Sequence, residues 1–584
     1  MGNMLIKIND QANTNNNDEI FYDTKLPNII VKEILQYLIN FAGDRNINLF
    51  LQKYTIICKE WNQKIIPSLK IEHNILVDTK DKSYGLDLLN RYQVEYNLVA
   101  FVTSKNLISN ITANLDKITK LSISLMDHGI IEATVELLPS LKQLLLECNL
   151  TNANVKVGEL VQLPLQKWFE TKDLYIQIDM RLVDNFALNA SDFMRVYPWS
   201  KNGLFSSGSL LLLNSSLIGD ISHPICNIQS LELTEVKIDI KSFSVLFSNS
   251  PHFTTIQLCG IRNVNNNNDG EFQDCLVNTI MDLNLPNLEY LEIVDHEYPI
   301  QFKTLVKLYK DTKVKNLTTN YPSFIKSKSD NLSQEISNPH IEIFHFTSFY
   351  YGKSKKKMNF LKNWKSKSSL KHIVIDSKLL DSTDSKDYTL DTFTNLTKIS
   401  YYSHNFNLLN SIVQLNLSKL QFIDIYNQNT TPSISTLIQP LQLNHTITSV
   451  SLTHSDFTFC QNLLSMNHTT IEHIHIVYLS LQIEDAPQTL IQAIKNNNVI
   501  RTLTIKYFNR VSQKYHYLES YIEIFNDGHQ LENLYLPISH TNKQIDFKLF
   551  EKVINQNPQI QFLKVFGGAK VENILSKYFV KYRE

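Results

Sequence analysis

The chain has 584 residues, of which 43% are hydrophobic and only 14 are glycine. This length is too great for one compact core, so several domains or an elongated array is expected. The 56 basic and 57 acidic side chains nearly cancel, which argues against a partner recognised by overall charge, such as nucleic acid or an anionic membrane. The scarcity of glycine also argues against the phosphate-binding loops of many enzymes.

The cysteines are scattered and include no C-x-x-C pair. They are expected to be small buried hydrophobic side chains, as in a protein of a reducing compartment. No signal-peptide core follows Met1, and no apolar run reaches the roughly 18 residues of a membrane-spanning helix. The sequence therefore predicts a soluble protein of the cytoplasm or nucleus, with no membrane partner.

The first part of the chain divides into three segments. Residues 1–22 contain an asparagine-rich run and are expected to be disordered, because they cannot bury enough apolar surface. Residues 23–70 predict two amphipathic helices with a break at Gly43-Asp44. Residues 71–117 show no repeat unit and are interpreted as a cap or linker, because the end of a repeat array exposes a core edge.

From residue 118 onward a six-residue pattern recurs, with apolar side chains at its first, fourth and sixth positions. From Ile341 onward, successive copies begin between 24 and 31 residues apart. This pattern and period are typical of leucine-rich repeats, in which each copy supplies one short strand. The sequence therefore predicts an α/β fold, an irregular, horseshoe-like leucine-rich-repeat solenoid with a parallel sheet over 118–584. The copies begin at Ile118, Leu141, Ile228, Phe253, Leu288, Ile341, Leu370, Leu396, Leu420, Ile447, Ile471, Ile500, Leu531 and Ile560.

Two stretches depart from the pattern. Residues 263–270 are asparagine-rich and are expected to bulge from the array as a loop. Between Leu146 and Ile228, only short apolar alternations at Leu174 and Leu210 indicate strands. The asparagine or cysteine that commonly follows the strand in such repeats is mostly missing. An irregular array is therefore expected.

Residues 23–70 also carry three short motifs, Leu26-Pro27, Ile34-Leu35-Gln36-Tyr37-Leu38 and Cys58-Lys59-Glu60-Trp61. In this order they resemble the F-box family, whose members often carry leucine-rich repeats behind the box. The resemblance implies binding to the small adaptor of an SCF-type cullin–RING ubiquitin ligase, with the repeats holding a protein substrate. Alternatively, these side chains only pack against the first repeats. The residues expected to contact the adaptor are Leu26, Pro27, Ile34, Leu35, Leu38 and Trp61.

The repeat pattern also predicts a partner-binding surface. If the first, fourth and sixth positions face the core, the third, fifth and seventh line the concave face of the sheet. Mixed aromatic and polar side chains are typical of protein interfaces, although an ordinary hydrated sheet face would also carry them. The predicted partner-binding residues are Tyr290, Glu292, His345, His372, Asp376, Tyr402, Phe422, Asp424, Tyr426, His473, His475, Tyr535, Phe562 and Lys564.

The sequence contains no nucleotide-binding, serine-hydrolase or zinc-peptidase motif, so neither enzymatic activity nor a cofactor is expected. His473 and His475 share a strand face but lack further metal ligands nearby, and are interpreted as solvent-facing. The lysine-rich residues 353–371 are interpreted as a solvated insertion, so nucleic acid is not an expected partner.

The predicted function is that of a non-enzymatic protein-binding protein, a substrate receptor of an SCF-type ubiquitin ligase. One alternative is a leucine-rich-repeat scaffold or regulatory protein without a role in ubiquitination. A more remote alternative is a GTPase-activating repeat protein. Such a protein needs a positioned arginine or an equivalent group, and the arginines of this chain form no evident cluster in the sequence.

Overall fold

The computed structural model describes residues 28–580 apart from short gaps. The asparagine-rich residues 1–22, Leu26 and Pro27, and the Cys58-Lys59-Glu60 motif lie outside the described residues. Within 28–580, the gaps are 55–60, 73–74, 78–82, 103–111, 125–127, 149–159, 161, 183–187, 190–201, 208–210, 213–227, 239, 249–251, 264–268, 296–299, 321–323, 326–334, 347–359, 377–389, 403–405, 428–431, 481–485, 510–516, 527, 537–545, 565–567 and 579.

Short parallel strands alternate along the chain with helices. The principal strands are β1 Ile75–Val77, β2 Leu98–Val102, β3 Ile118–Ser124, β4 Gln143–Cys148, β5 Tyr175–Leu182, β6 Asn202–Ser207, β7 Ser230–Thr234, β8 Thr255–Cys259, β9 Tyr290–Val294, β10 Asn316–Asn320, β11 Ile343–Phe346, β12 His372–Asp376, β13 Lys398–Tyr402, β14 Phe422–Tyr426, β15 Ser449–Asp456, β16 His473–Ser480, β17 Thr502–Asn509, β18 Asn533–Tyr535 and β19 Phe562–Leu563.

The α-helices are α1 Asn28–Tyr54, α2 Ser83–Arg91, α3 His128–Glu136, α4 Leu165–Lys172, α5 Ile240–Ser248, α6 Asp269–Leu283, α7 Phe302–Asp311, α8 Phe360–Asn363, α9 Asn407–Gln414, α10 Ile438–Leu443, α11 Phe457–Ser465, α12 Ala486–Lys495, α13 Tyr517–Phe525, α14 Phe547–Gln556 and α15 Gly568–Lys577. Short 3₁₀ or π turns lie at Trp61–Ile65, Ile66–Ser68, Thr112–Lys117, Leu390–Thr392 and Pro432–Leu437.

The chain forms two compact units, Asp18–Thr304 and Leu305–Glu584. In the first unit, β1 to β9 pair in chain order, each parallel to the next. In the second unit, β10 to β19 do the same, and each helix from α9 to α15 packs on the next. Every predicted copy of the pattern forms a strand of these runs, so the parallel repeat architecture is confirmed.

Burial within the strands follows the predicted alternation. Ile474, Leu503 and Leu534 are in register on β16, β17 and β18 and are almost completely buried. The intervening residues His475 and Thr504 are partly exposed. Since strand side chains alternate between faces, one face is packed in the core and the other faces outward.

The array is longer than the pattern indicates. The segment 71–117, expected to be a cap or linker, already contributes β1 and β2 to the parallel run. In the second unit β10 was also not predicted, because Thr319 occupies an apolar position of the pattern. The hydroxyls of Thr319 and Tyr309 lie 2.7 Å apart in the core, and this hydrogen bond makes the buried threonine tolerable.

Both ends of the expected loop at 263–270 belong to regular secondary structure. Asn263 belongs to a short strand, Arg262–Asn263, that pairs with Lys237–Ile238. Helix α6 already begins at Asp269. Residues 264–268 lie outside the described residues.

The amino-terminal segment forms one helix rather than two. Helix α1 continues through Gly43 and Asp44, so the predicted break is wrong. Glycine inside a helix costs only about 1 kcal/mol relative to alanine, and packing elsewhere along the helix offsets such a cost. Val31, Leu35 and Ile39 form a buried stripe at i, i+4 and i+8, and α1 packs on α2.

Polar side chains of α1 close the edge of the first repeat. Lys70 forms a parallel bridge with Glu95, so its own N–H and C=O point to the other side. The Gln36 amide binds both of these groups, and the Asn40 amide accepts from the Glu72 N–H at 3.0 Å. The cap of the array is therefore α1, which covers a strand edge that would otherwise be unpaired.

Buried asparagines join consecutive repeats of the second unit. Asn497 donates to the Leu464 carbonyl at the end of α11, at 2.6 Å, and accepts from the N–H groups of Val499 and Ile500. It thereby ties a helix end of one repeat to the strand entry of the next, where helix carbonyls lack intrahelical partners. The same bridging position is filled by Asn338, Asn444 and Asn557. These bridging asparagines therefore stand before the strand, whereas the repeat pattern predicts an asparagine after the strand.

Candidate partner-binding surfaces

The outward face of the second unit brings most of the predicted partner-binding residues together. Parallel register aligns them in two rows across neighbouring strands. The first row contains His372, Lys398, Phe422, Ser449, His473, Thr502, Asn533 and Phe562. The second row contains Ser400, Asp424, Ser451, His475, Thr504 and Tyr535. Asp376 ends β12, and its side chain lies outside the described residues.

Aromatic rings stack across this face. The rings of Tyr402 and Tyr426 are nearly parallel, with centroids 4.3 Å apart. Tyr535 stacks on Phe562 at 6.3 Å, and the Lys564 ammonium lies 4.9 Å from the Tyr535 centroid. Rigid aromatic side chains contribute large contact areas at little entropic cost, which makes this face suitable for binding a protein.

A charged network lies beside the stacked tyrosines. The Lys398 ammonium is 2.6 Å from the Asp424 carboxylate, and the Ser400 hydroxyl donates to the same carboxylate at 3.3 Å. His372 Nε2 is 3.0 Å from the Ser400 hydroxyl oxygen. Burial, with His345 and Lys398 nearby, lowers the pKa of His372 to about 4, so its ring is neutral at pH 7. Because the Ser400 hydroxyl gives its proton to Asp424, the Ser400 oxygen accepts from His372 in the tautomer that is protonated on Nε2. Serine lies between the histidine and the carboxylate, an order that does not match a nucleophilic triad.

A second aromatic stack, which was not among the predicted partner-binding residues, lies at the carboxyl end of β15, β16 and β17. His454, Tyr478 and Tyr507 stack at 4.8 and 5.1 Å, and Tyr507 is 53% exposed. Each of these residues stands seven positions after the start of its repeat pattern. A search for aromatic residues at a constant offset would have found them.

The outward face of the first unit is acidic. Glu147, Asp179, Glu232 and Glu292 share one row of the register. The Tyr290 hydroxyl donates to Glu292 at 2.7 Å, and the Gln257 amide donates to it at 2.9 Å. Burial and the charge of Glu292 raise the pKa of the Cys259 thiol to about 11. Tyr290 and Glu292, both predicted partner-binding residues, therefore lie on the carboxylate-rich outward face of the first unit.

Helix α1 presents apolar side chains outward as well as inward. Ile29 and Tyr37 are 67% and 69% exposed, and Ile30 is 40% exposed. A cleft of about 570 Å³ runs along this side of the helix. Its lining residues are Ile29, Lys32, Glu33, Gln36, Tyr37, Asn40 and Glu72.

The geometry contradicts one of the predicted adaptor contacts. Leu35 is completely buried, so the expectation that it is accessible to an adaptor is wrong. Ile34, Leu38 and Trp61 are partly exposed. The sequence reasoning failed at Leu35 because the same apolar stripe can serve either a partner or the chain's own core.

Within the described part of the chain, no three His, Cys, Asp or Glu side chains are grouped so that they could hold a metal ion. His473 and His475 project on the same side of β16, on either side of buried Ile474. No described helix is both long enough and apolar enough to cross a bilayer.

Comparison with protein-family models and with curated proteins gives no match. Among solved structures, the chain is similar to the yeast Rad7 and Elc1 complex. The match has 13% sequence identity and a TM-score of 0.32, and it covers 84% of this chain and 94% of the matched chain.

Proposed function

We propose that this protein is a non-enzymatic substrate receptor of an SCF-type cullin–RING ubiquitin ligase, acting in the cytoplasm or nucleus. In this proposal α1 binds the small adaptor, and through it the cullin, while the outward face of the second unit holds a protein substrate.

The observation that carries the proposal is that α1 has both a buried apolar side and an exposed apolar side. One side of the helix, with Leu35, is buried, whereas Ile29 and Tyr37 on another side are largely exposed. Exposed large apolar side chains beside a cleft are typical of a protein-binding site. Together with the aromatic sheet face, α1 provides a second surface for a partner, as a bridging protein requires.

The test compares two variants of the full chain by affinity purification and quantitative mass spectrometry. Ile29→Ala/Tyr37→Ala should lose the adaptor and the cullin but retain substrate proteins. Phe422→Ala/Tyr426→Ala should retain the adaptor and cullin and lose substrates. Leu443→Ala serves as the matched control, because Leu443 on α10 is about as exposed as Ile29 and Tyr37. It should change the recovery of neither the adaptor and cullin nor the substrates.

The scaffold alternative is favoured by a specific observation, the capping of the first repeat by Gln36 and Asn40. On that hypothesis α1 serves only the fold. Failure to recover any adaptor or cullin with the wild-type chain would contradict the ligase proposal and support the scaffold.

A further inference from the structure

Two buried histidines join consecutive repeats of the second unit, a role that buried asparagines have at other repeat junctions. His468 stands three residues before the start of its repeat pattern at Ile471, as Asn497 does before Ile500. His529 stands two residues before Leu531. Both histidines are buried. They therefore join repeats with a titratable ring where the neighbouring joints use an amide.

The contacts of His529 require a neutral ring in one tautomer. Its Nε2 lies 2.9 Å from the Ile494 carbonyl at the end of α12, and its Nδ1 accepts from the Leu531 N–H at 3.1 Å. A ring protonated only on Nε2 satisfies both partners. A second proton, on Nδ1, would face the Leu531 N–H with another donor and break this bond.

His468 is placed in the same way. Its Nδ1 lies 3.2 Å from the Thr470 backbone nitrogen. The Thr470 hydroxyl, at the same distance, donates its proton to the Ile447 carbonyl. On the other side, the ring interacts with the backbone of Leu441, Gln442 and Asn444 at the end of α10. Protonating Nδ1 would again remove the acceptor at the strand entry.

A neighbouring histidine also favours the neutral form of His468. His445 stacks on His468 with centroids 6.4 Å apart, and its charge opposes protonation of His468. Lys495, in the last turn of α12, follows the residue whose carbonyl His529 binds. Glu532, near His529 in sequence, pairs with Arg501 at 3.4 Å. The rings of Phe525 and His529 are nearly perpendicular, with centroids 6.2 Å apart.

We propose that His468 and His529 form acid-sensitive joints of the second unit, which open on protonation while the asparagine joints hold. Burial lowers the pKa of both rings, so the opened form binds protons more readily than the closed form. The stability contributed by each joint is fully present above about pH 6.5 and is lost as the pH falls from there toward the folded-state pKa. Opening would disturb the entries of β16 and β18, two strands that carry part of the aromatic face.

The test compares the full wild-type chain with His468→Asn/His529→Asn, which installs the amide that the array itself uses. Thermal unfolding is measured at several pH values from 7.5 to 5.0. The melting temperature of the wild type should fall more steeply with acid than that of the variant. His345, His372 and His454 are present in both chains, so the difference in slope isolates the two joints. Equal slopes would overturn the proposal.

Hydrogen exchange provides a local readout in the wild type alone, which decides the question if the double variant does not fold. After correction for the intrinsic rate, protection of the Leu531 amide should fall by up to about tenfold per pH unit below about pH 6.5. The Ile500 amide, which donates to Asn497, should keep its protection. A parallel loss at both amides would show that acid acts on the whole unit rather than on the histidine joints.

Discussion

The Asn497 side chain is 2% exposed, and its amide makes three hydrogen bonds that join two repeats. Asn497→Ala would leave the Leu464 carbonyl and two N–H groups without their side-chain partner. Because each unsatisfied buried group costs about 1–3 kcal/mol, the variant should lose at least about 2 kcal/mol of unfolding free energy. Denaturant unfolding measures this loss. The exposed neighbour Asn498→Ala is the control, and an equal effect of both changes would contradict the bridging role.

The alternation of core and surface residues makes a second prediction at the same scale. Ile474→Ala and Leu503→Ala should each cost about 2–5 kcal/mol, because both side chains are buried in the shared core. Thr504→Ala, next to Leu503 on the outward face, should change the unfolding free energy by about 0.5 kcal/mol or less. Comparable losses for Leu503 and Thr504 in urea titrations would show that the face assignment is wrong.

At the scale of the element, α1 combines two roles that the sequence motif does not separate. Leu35→Ala should destabilise the first unit by about 2–5 kcal/mol, because Leu35 is completely buried. Tyr37→Ala should leave the unfolding free energy almost unchanged, because its ring is 69% exposed. Both changes introduce alanine, the best helix former, so neither should destabilise α1 through a lower helix propensity. A strong loss of stability in Tyr37→Ala would place that ring in the core.

Helix α11 begins directly after Asp456, whose side chain caps it. Asp456 accepts from the Phe459 N–H at 2.7 Å and so caps α11. Asp456→Ala should therefore cost about 0.5–2 kcal/mol, and thermal melts with Asp456→Asn as the conservative control measure it. Asparagine is also a good cap, so Asp456→Asn should retain most of the stability; a loss equal to that of alanine would indicate another role for the carboxylate.

At the scale of the whole molecule, each repeat contacts its neighbours in the chain, so damage should remain local. Leu35→Ala should raise hydrogen exchange in α1, α2 and β1, while exchange in β15 to β19 stays at its wild-type level. Hydrogen-exchange mass spectrometry of the full chain measures both regions in one experiment. A uniform rise in exchange across the two units would contradict a repeat array with nearest-neighbour coupling.

Much of the fold could be predicted because its signal is local in sequence. Each six-residue copy of the pattern indicates a strand and the face of that strand that is buried. All predicted copies, from Ile118 to Ile560, form strands. The prediction failed where a polar residue is buried with a distant partner, as at Thr319 with Tyr309. It also failed at Gly43, where packing of α1 outweighs a local helix-breaking tendency.

Some residues of the candidate surfaces could likewise be predicted from local sequence, and others could not. The alternation of strand side chains alone placed Tyr402, Phe422 and Tyr426 on the outward face, since that choice depends only on neighbouring positions. Tertiary structure decided that Leu35 is buried while Tyr37 is exposed. It also decided that Asn497 and His529 bridge to helix ends about 33 and 35 residues earlier. Such contacts depend on which groups of adjacent repeats meet in space, and the pattern within one repeat does not specify them.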